Sequence, residues 1–189
     1  MGATLKASYT PVEGGGDDTT NKAVGGVGTA DTGSSMGMVI AGLSPVEGLT
    51  LDLGYNETER DTTNTTYASD WTQWSGSIKY ATGPITVGYQ RTFEDLGESG
   101  ASSTEYYENE GYGVTFQVND NLSMGFLTFE SVKEFGDTTA SVTVEADSYQ
   151  LTYNLGGATV KFAHSEVDNQ QYISNRKAEH RVLAVGLAF

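Results

Sequence analysis

The 189-residue chain contains no cysteine, only three prolines and two tryptophans. Without cysteine it has neither disulfides nor thiolate chemistry, so cysteine pairing cannot indicate its compartment. No run of about 18 apolar residues is present, which excludes a transmembrane helix. Basic residues are also scarce, because 10 Lys and Arg stand against 25 Asp and Glu, for a formal charge of −15. This balance argues against nucleic acid as a partner.

Glycine and tyrosine are abundant instead, with 24 and 11 residues respectively. This composition favours strands and tight turns over long helices. No linker divides the chain, so residues 1–189 are predicted to form a single domain. The first residues lack the basic start and apolar core of a signal peptide, which indicates a mature or recombinant form, or a piece of a longer precursor.

The last ten residues show the pattern that organises the whole chain. Large apolar residues alternate there with small ones: Leu183, Val185, Leu187 and Phe189 against Ala184, Gly186 and Ala188. A period of two places the large set on one face of a strand. In a soluble protein such a strand would be prone to aggregate, whereas in an outer-membrane barrel its apolar face meets lipid. It resembles the carboxy-terminal signal of bacterial outer-membrane proteins, which implies that Phe189 is read by the barrel-assembly machinery.

The same alternation recurs through about ten segments. Short turns at 44–48, 82–84, 119–121 and 156–157 alternate with polar loops at about 12–35, 56–69, 94–104, 135–139 and 168–178. An up-and-down meander with short turns at one end and long loops at the other has this pattern. We therefore expect an all-β, antiparallel transmembrane β-barrel, which is either a small closed barrel or part of a larger porin-type barrel. Leu127 and Phe129 break the alternation, which indicates a β-bulge or a wrong register there.

Two segments carry a resemblance to a known family. Residues 42–55 (GLSPVEGLTLDLGY) resemble the strand–turn–strand units of Gram-negative general porins, in particular alphaproteobacterial ones, and residues 149–158 (YQLTYNLGGA) resemble a penultimate porin hairpin. The resemblance implies an outer-membrane channel for passive diffusion of small hydrophilic solutes and ions, with sixteen strands and a homotrimeric assembly. The chain is too short for sixteen strands, so it resembles the carboxy-terminal part of such a porin.

Within this frame, each strand has a face predicted to line the pore and a face predicted to meet outer-membrane lipid and lipopolysaccharide. The pore-lining candidates are Lys6, Asp52, Lys79, Gln90, Gln117, Gln150 and Lys161. The lipid-facing candidates are Leu51, Leu53, Val87, Val114, Phe116, Leu151, Leu183, Val185 and Leu187. Inward charges of opposite sign set ion selectivity in channels of this kind.

The sequence indicates no catalytic residue, metal site or cofactor. The acidic, glycine-rich loop after the first strand has a calcium-loop character, but its spacing matches no EF-hand. An omptin-like outer-membrane protease is a rival interpretation, because ten strands suit it and His164 and His180 are expected near the rim, close to Glu166 and Asp168. A soluble or filament-forming extracellular β-structured surface protein is the other alternative.

Overall fold

Ten antiparallel β-strands form one sheet in the computed structural model, which describes residues 2–11, 32–60, 67–98, 100 and 103–187. Each strand pairs with its neighbours in sequence, so the sheet is an up-and-down meander. The strands are β1 (Thr4–Thr10), β2 (Thr32–Leu43), β3 (Leu49–Arg60), β4 (Trp71–Thr82), β5 (Ile85–Asp95), β6 (Thr104–Asn119), β7 (Leu122–Phe135), β8 (Val142–Asn154), β9 (Ala158–Asp168) and β10 (Ala178–Leu187). The predicted all-β architecture of about ten strands is confirmed.

The sheet is open within these described ranges. β1 lies at one edge against β2, and β10 lies at the other edge against β9. Pairing of the first strand with the last, which would close a ten-stranded barrel, is not seen in this part of the chain. Phe189, the predicted assembly signal, lies outside the described residues.

The connections alternate in length as the sequence predicts. Tight turns at one end join β2 to β3, β4 to β5, β6 to β7 and β8 to β9. Gly48 illustrates their geometry, because it has a φ of +80° and a Cβ there would lie 2.2 Å from the carbonyl oxygen of Ala81. The longer connections meet at the opposite end. Most of the β1–β2 connection, including the calcium-loop candidate, lies outside the described residues.

Several strands extend further towards the long-loop end than the sequence pattern indicates. β2 begins at Thr32 rather than at residue 36, β3 continues to Arg60, and β6 begins at Thr104. The polar loops predicted at 56–69 and 94–104 are therefore shorter than expected. Hydropathy alternation fades where both faces become polar, yet the backbone ladder continues, as in the pairing of Glu57 with Thr72.

No second layer formed by the described residues covers the apolar side of the sheet. Among the described residues no apolar side chain is buried, and large ones such as Leu53, Phe116 and Leu183 are 54%, 40% and 71% exposed. A sheet with one apolar face must cover that face against something else. No described helix has the length and apolar character needed to cross a membrane.

Candidate functional site: the two faces of the sheet

Strand pairing assigns the candidate residues to two faces, because directly opposed residues share a face. Asp52, Ser77 and Gln90 form one such row across β3, β4 and β5. All seven predicted pore-lining residues lie on this polar face, and all nine predicted lipid-facing residues lie on the other. The predicted partition of the candidates between two faces therefore agrees with the pairing, while their roles stay predictions.

We assign the polar face as the concave side of the sheet because residues from six consecutive strands line one hollow on it. A hollow of about 490 Å³ on this face is lined by residues from β3 to β8, including Asp52, Lys79, Gln90 and Gln150. The fold thus brings four of the seven candidates around one space. It is wide open rather than enclosed, which suits contact with water and hydrated solutes more than tight binding of one ligand.

Asp52 is a charge on this face that two hydrogen bonds hold in place. Its carboxylate accepts a 2.7 Å hydrogen bond from the backbone N–H of Gly42 and a 3.0 Å hydrogen bond from the Ser77 hydroxyl. Gly42 lies where the β2–β3 register shifts, and its φ is +69°. Lys79 lies close enough to attract Asp52 electrostatically. The polar face therefore carries opposite charges on the adjacent strands β3 and β4.

The other candidates lie away from the hollow. Lys6 is on the edge strand β1, opposite Val39. Lys161 pairs with Thr152 near the short-turn end. The Gln117 amide donates to the backbone carbonyls of Asn119 and Leu122, so it stabilises the β6–β7 turn. Gln117 therefore stabilises a turn as well as lying on the polar face.

Leu127 and Phe129 are apolar residues on the concave face, which the sequence pattern did not anticipate. β7 pairs regularly with β6 and β8 through both positions, so neither the expected β-bulge nor its alternative, a wrong register, is seen there. They lie directly opposite Gly113 and Gly111, and a Cβ at these glycines would lie 3.7 Å from Leu127 and 3.6 Å from Phe129. The two large side chains therefore cover neighbouring glycines, an arrangement that only the pairing of β6 with β7 reveals.

The opposite face carries an apolar band that runs diagonally across the hydrogen-bonded rows. The row that starts at Leu51 and Ile78 ends at Glu166 and Glu179. On this face of β10 the apolar residues begin only at Leu183, nearer the short-turn end. Strands of a membrane barrel tilt by about 35–45°, so a band at constant height must cut across their rows in this way.

An acidic zone lies beyond this band, towards the long-loop end. Arg91 forms ion pairs there with Glu108 and, at 3.3 Å, with Glu110. Further acids on the same face are Glu130, Glu145, Asp147, Glu166, Asp168 and Glu179. Within the described residues, no group of three or more possible ligands is arranged to hold a metal ion. The zone marks a sharp boundary between apolar and charged surface.

The two histidines do not form a common site. His164 lies on the face that carries the apolar band, here called the outer face. Its Nε2 is 3.3 Å from Glu166 and its Nδ1 is 3.6 Å from Glu179. His180 pairs with Ser165 and therefore belongs to the polar face. The expected proximity of His164 to Glu166 is confirmed, but the sheet separates the two imidazoles, so they cannot act together on one substrate.

Comparison with known proteins agrees with this geometry. No protein-family model matches the chain, and no curated protein matches its sequence. Among solved structures, a porin refined at 1.8 Å resolution matches with a TM-score of 0.60 and 17% identity. The fold is porin-like. The match covers 97% of this chain and 58% of the porin chain, so the chain spans somewhat more than half the length of that porin.

Proposed function

We propose that the chain forms, or contributes to, a water-filled outer-membrane channel for passive diffusion of small hydrophilic solutes and ions. The supporting observation is a single-layer sheet with one apolar and one concave polar face and, among the described residues, no buried apolar side chain. In water the apolar face would stay exposed at a large free-energy cost. In a bilayer, lipid covers it while the concave face encloses water. The porin-like fold supports the same function rather than an enzymatic one.

We further propose that the chain is related to general porins of the alphaproteobacterial type and corresponds to their carboxy-terminal part. The edge strands β1 and β10 would then pair with further strands, supplied by another segment or another chain. The partial coverage of the matched porin is consistent with such a larger barrel. The remaining proposed partners are outer-membrane lipid and lipopolysaccharide, the barrel-assembly machinery acting on Phe189, and two further copies in a homotrimer.

Ion selectivity is proposed to arise from the charges on the concave face. Asp52 beside Lys79 forms a local dipole on this face, and Lys161 and Lys6 add positive charge to the same face. The acidic balance of the whole chain raises the local concentration of cations near the opening. The channel is therefore expected to favour cations, with the inward lysines moderating that preference.

Planar-bilayer recording tests this function. The protein is expected to give stepwise conductance with a reversal potential that favours cations. Lys79→Glu and Lys161→Glu should each increase the cation preference, because each replaces a positive wall charge by a negative one. Arg181→Glu is the matched control, since it makes the same change of charge on the outer face.

Two outcomes would count against the proposal. Absence of conductance steps from folded, membrane-inserted protein contradicts the channel. Unchanged selectivity in both lysine variants, or an equal shift in the Arg181 variant, removes these lysines from the permeation path.

A further inference from the structure

The β9–β10 connection, residues 169–177, folds back over the concave face. Asn169 donates a 2.8 Å hydrogen bond from its side chain to the backbone carbonyl of Thr143 on β8. Tyr172 reaches further, and its hydroxyl lies 2.6 Å from the Ser131 hydroxyl on β7. Its ring centroid lies 5.6 Å from that of Tyr107 on β6. The loop therefore crosses β8 and contacts the wall two and three strands away from β9.

The contact with Ser131 is the end of a continuous hydrogen-bond chain. Ser131 is 4% exposed and donates to Asn109, whose amide donates at 3.0 Å to Thr92 on β5. Because a serine hydroxyl has one hydrogen, Tyr172 is the donor to Ser131. The bonds then all run in one direction, from the loop through β7 and β6 to β5. Hydrogen bonds aligned in this way strengthen one another.

Two residues of the loop, Gln171 and Tyr172, are held in a left-handed conformation that such side chains rarely adopt, whereas the asparagines beside them adopt it more readily. Asn169, Gln171, Tyr172 and Asn175 have φ values of 54°, 60°, 56° and 64°, and they are the only non-glycine residues with positive φ in the described ranges. Such residues persist in this region only where surrounding contacts impose it, and they concentrate at functional sites.

The loop is also tied to itself and to the end of β9. The Gln170 N–H bonds at 2.8 Å to the Arg176 carbonyl, and Arg176 donates at 2.6 Å to the Gln171 side chain. Lys177 forms a 2.8 Å ion pair with Asp168, and this hydrogen bond raises the pKa of Lys177. Residues 169–177 are therefore held in a defined conformation by contacts within the loop and with the end of β9.

Other described long connections bond to one another at the rim. The Gly136 N–H of the β7–β8 connection bonds at 3.2 Å to the Ser103 carbonyl of the β5–β6 connection. The Ala68 N–H, between β3 and β4, bonds at 2.8 Å to the Gly97 carbonyl. Bonds of this type keep loops at the sheet edge, whereas Tyr172 attaches its loop to the wall.

We propose that residues 169–177 form a constriction of the channel and that Tyr172 is the anchor that fixes it against the inner wall. This inference rests on the proposed function, because only a water-filled interior gives a constriction something to restrict. The loop then sets the size limit for permeating solutes, and Ser131 and Tyr107 act as positioning residues for its anchor.

A single reactive thiol tests this proposal, since the chain has no cysteine of its own. Ile173 follows Tyr172 and is 50% exposed, so Ile173→Cys places the thiol on the constriction. Bulky thiol reagents added during bilayer recording should then cause a stepwise loss of current. Thr138→Cys, exposed in the β7–β8 connection, is the matched control and should keep its current.

Release of the anchor gives an independent test. Tyr172→Phe keeps the ring against Tyr107 but removes the donor to Ser131, and should raise the conductance or its fluctuations and admit larger uncharged polymers. Tyr149→Phe, on the outer face, is its control. If the wild-type channel conducts, but neither thiol modification of the Ile173→Cys variant nor Tyr172→Phe alters the current, the constriction is overturned and the channel stands. Absence of wild-type conductance overturns both.

Discussion

At the scale of single residues, the face of the sheet on which a side chain lies determines its surroundings. Leu151 and Thr152 are neighbours in β8, yet Leu151 pairs with Phe162 in the apolar band and Thr152 pairs with Lys161 on the polar face. The same substitution at these two positions should therefore change the stability of the membrane-inserted protein by very different amounts. In a soluble sheet, both positions would face water or a protein layer.

Leu151→Arg is expected to reduce the free energy of unfolding in lipid vesicles by about 2–4 kcal/mol, the cost of a charge on the lipid face near the midplane. Thr152→Arg is the matched variant and should cost less than about 1 kcal/mol, because its side chain enters water and only the like charge of Lys161 on the paired strand opposes it. Urea titration of the vesicle-inserted protein measures both. Equal effects of the two substitutions would show that the faces do not differ in their surroundings.

At the scale of elements, the sequence predicted the strands well where both periodicity and turn chemistry were present. The hairpin around Gly48 and the alternation of Leu49 to Tyr55 predict β3 and its turn, because glycine and a period of two are local signals. The ends towards the long loops were missed, since charged residues such as Glu57 continue the ladder without a hydropathy signal. Tyr172 could not be found from sequence, because its contacts with Tyr107 and Ser131 span dozens of positions.

The main architectural prediction is that the edge strands β1 and β10 pair with further strands and not with each other. Paramagnetic labels on Lys6→Cys in β1 and Ala184→Cys in β10 report whether one chain closes on itself. If further strands complete the sheet, the labels should be more than about 20 Å apart, since neighbouring strands are spaced by roughly 4.8 Å. Pulsed electron paramagnetic resonance on protein diluted in unlabelled copies measures this distance.

A self-closed ten-stranded barrel predicts the opposite result, with labels on the order of 10 Å apart on adjacent strands. That distance would exclude a larger barrel built by this chain with additional strands. Each singly labelled variant serves as the control, because a distance seen there would come from contact between copies.

At the scale of the whole molecule, a membrane channel of this kind requires that the apolar face meets lipid while the concave face meets water. The chain contains two tryptophans, and they report on this requirement directly. Trp74 lies on the apolar face, stacked at 5.8 Å on Phe93 and 39% exposed. Trp71 lies on the polar face, where its indole N–H donates at 3.0 Å to Glu94.

Fluorescence quenching by lipids brominated along their acyl chains distinguishes a tryptophan in contact with lipid from one in contact with water. Trp71→Phe retains only Trp74, and Trp74→Phe retains only Trp71. We expect strong quenching of Trp74 by brominated lipid and weak quenching of Trp71, with the reverse order for a water-soluble quencher such as acrylamide. Equal quenching of both tryptophans by lipid, or a protein that stays folded in water with neither quenched by lipid, would contradict the membrane channel.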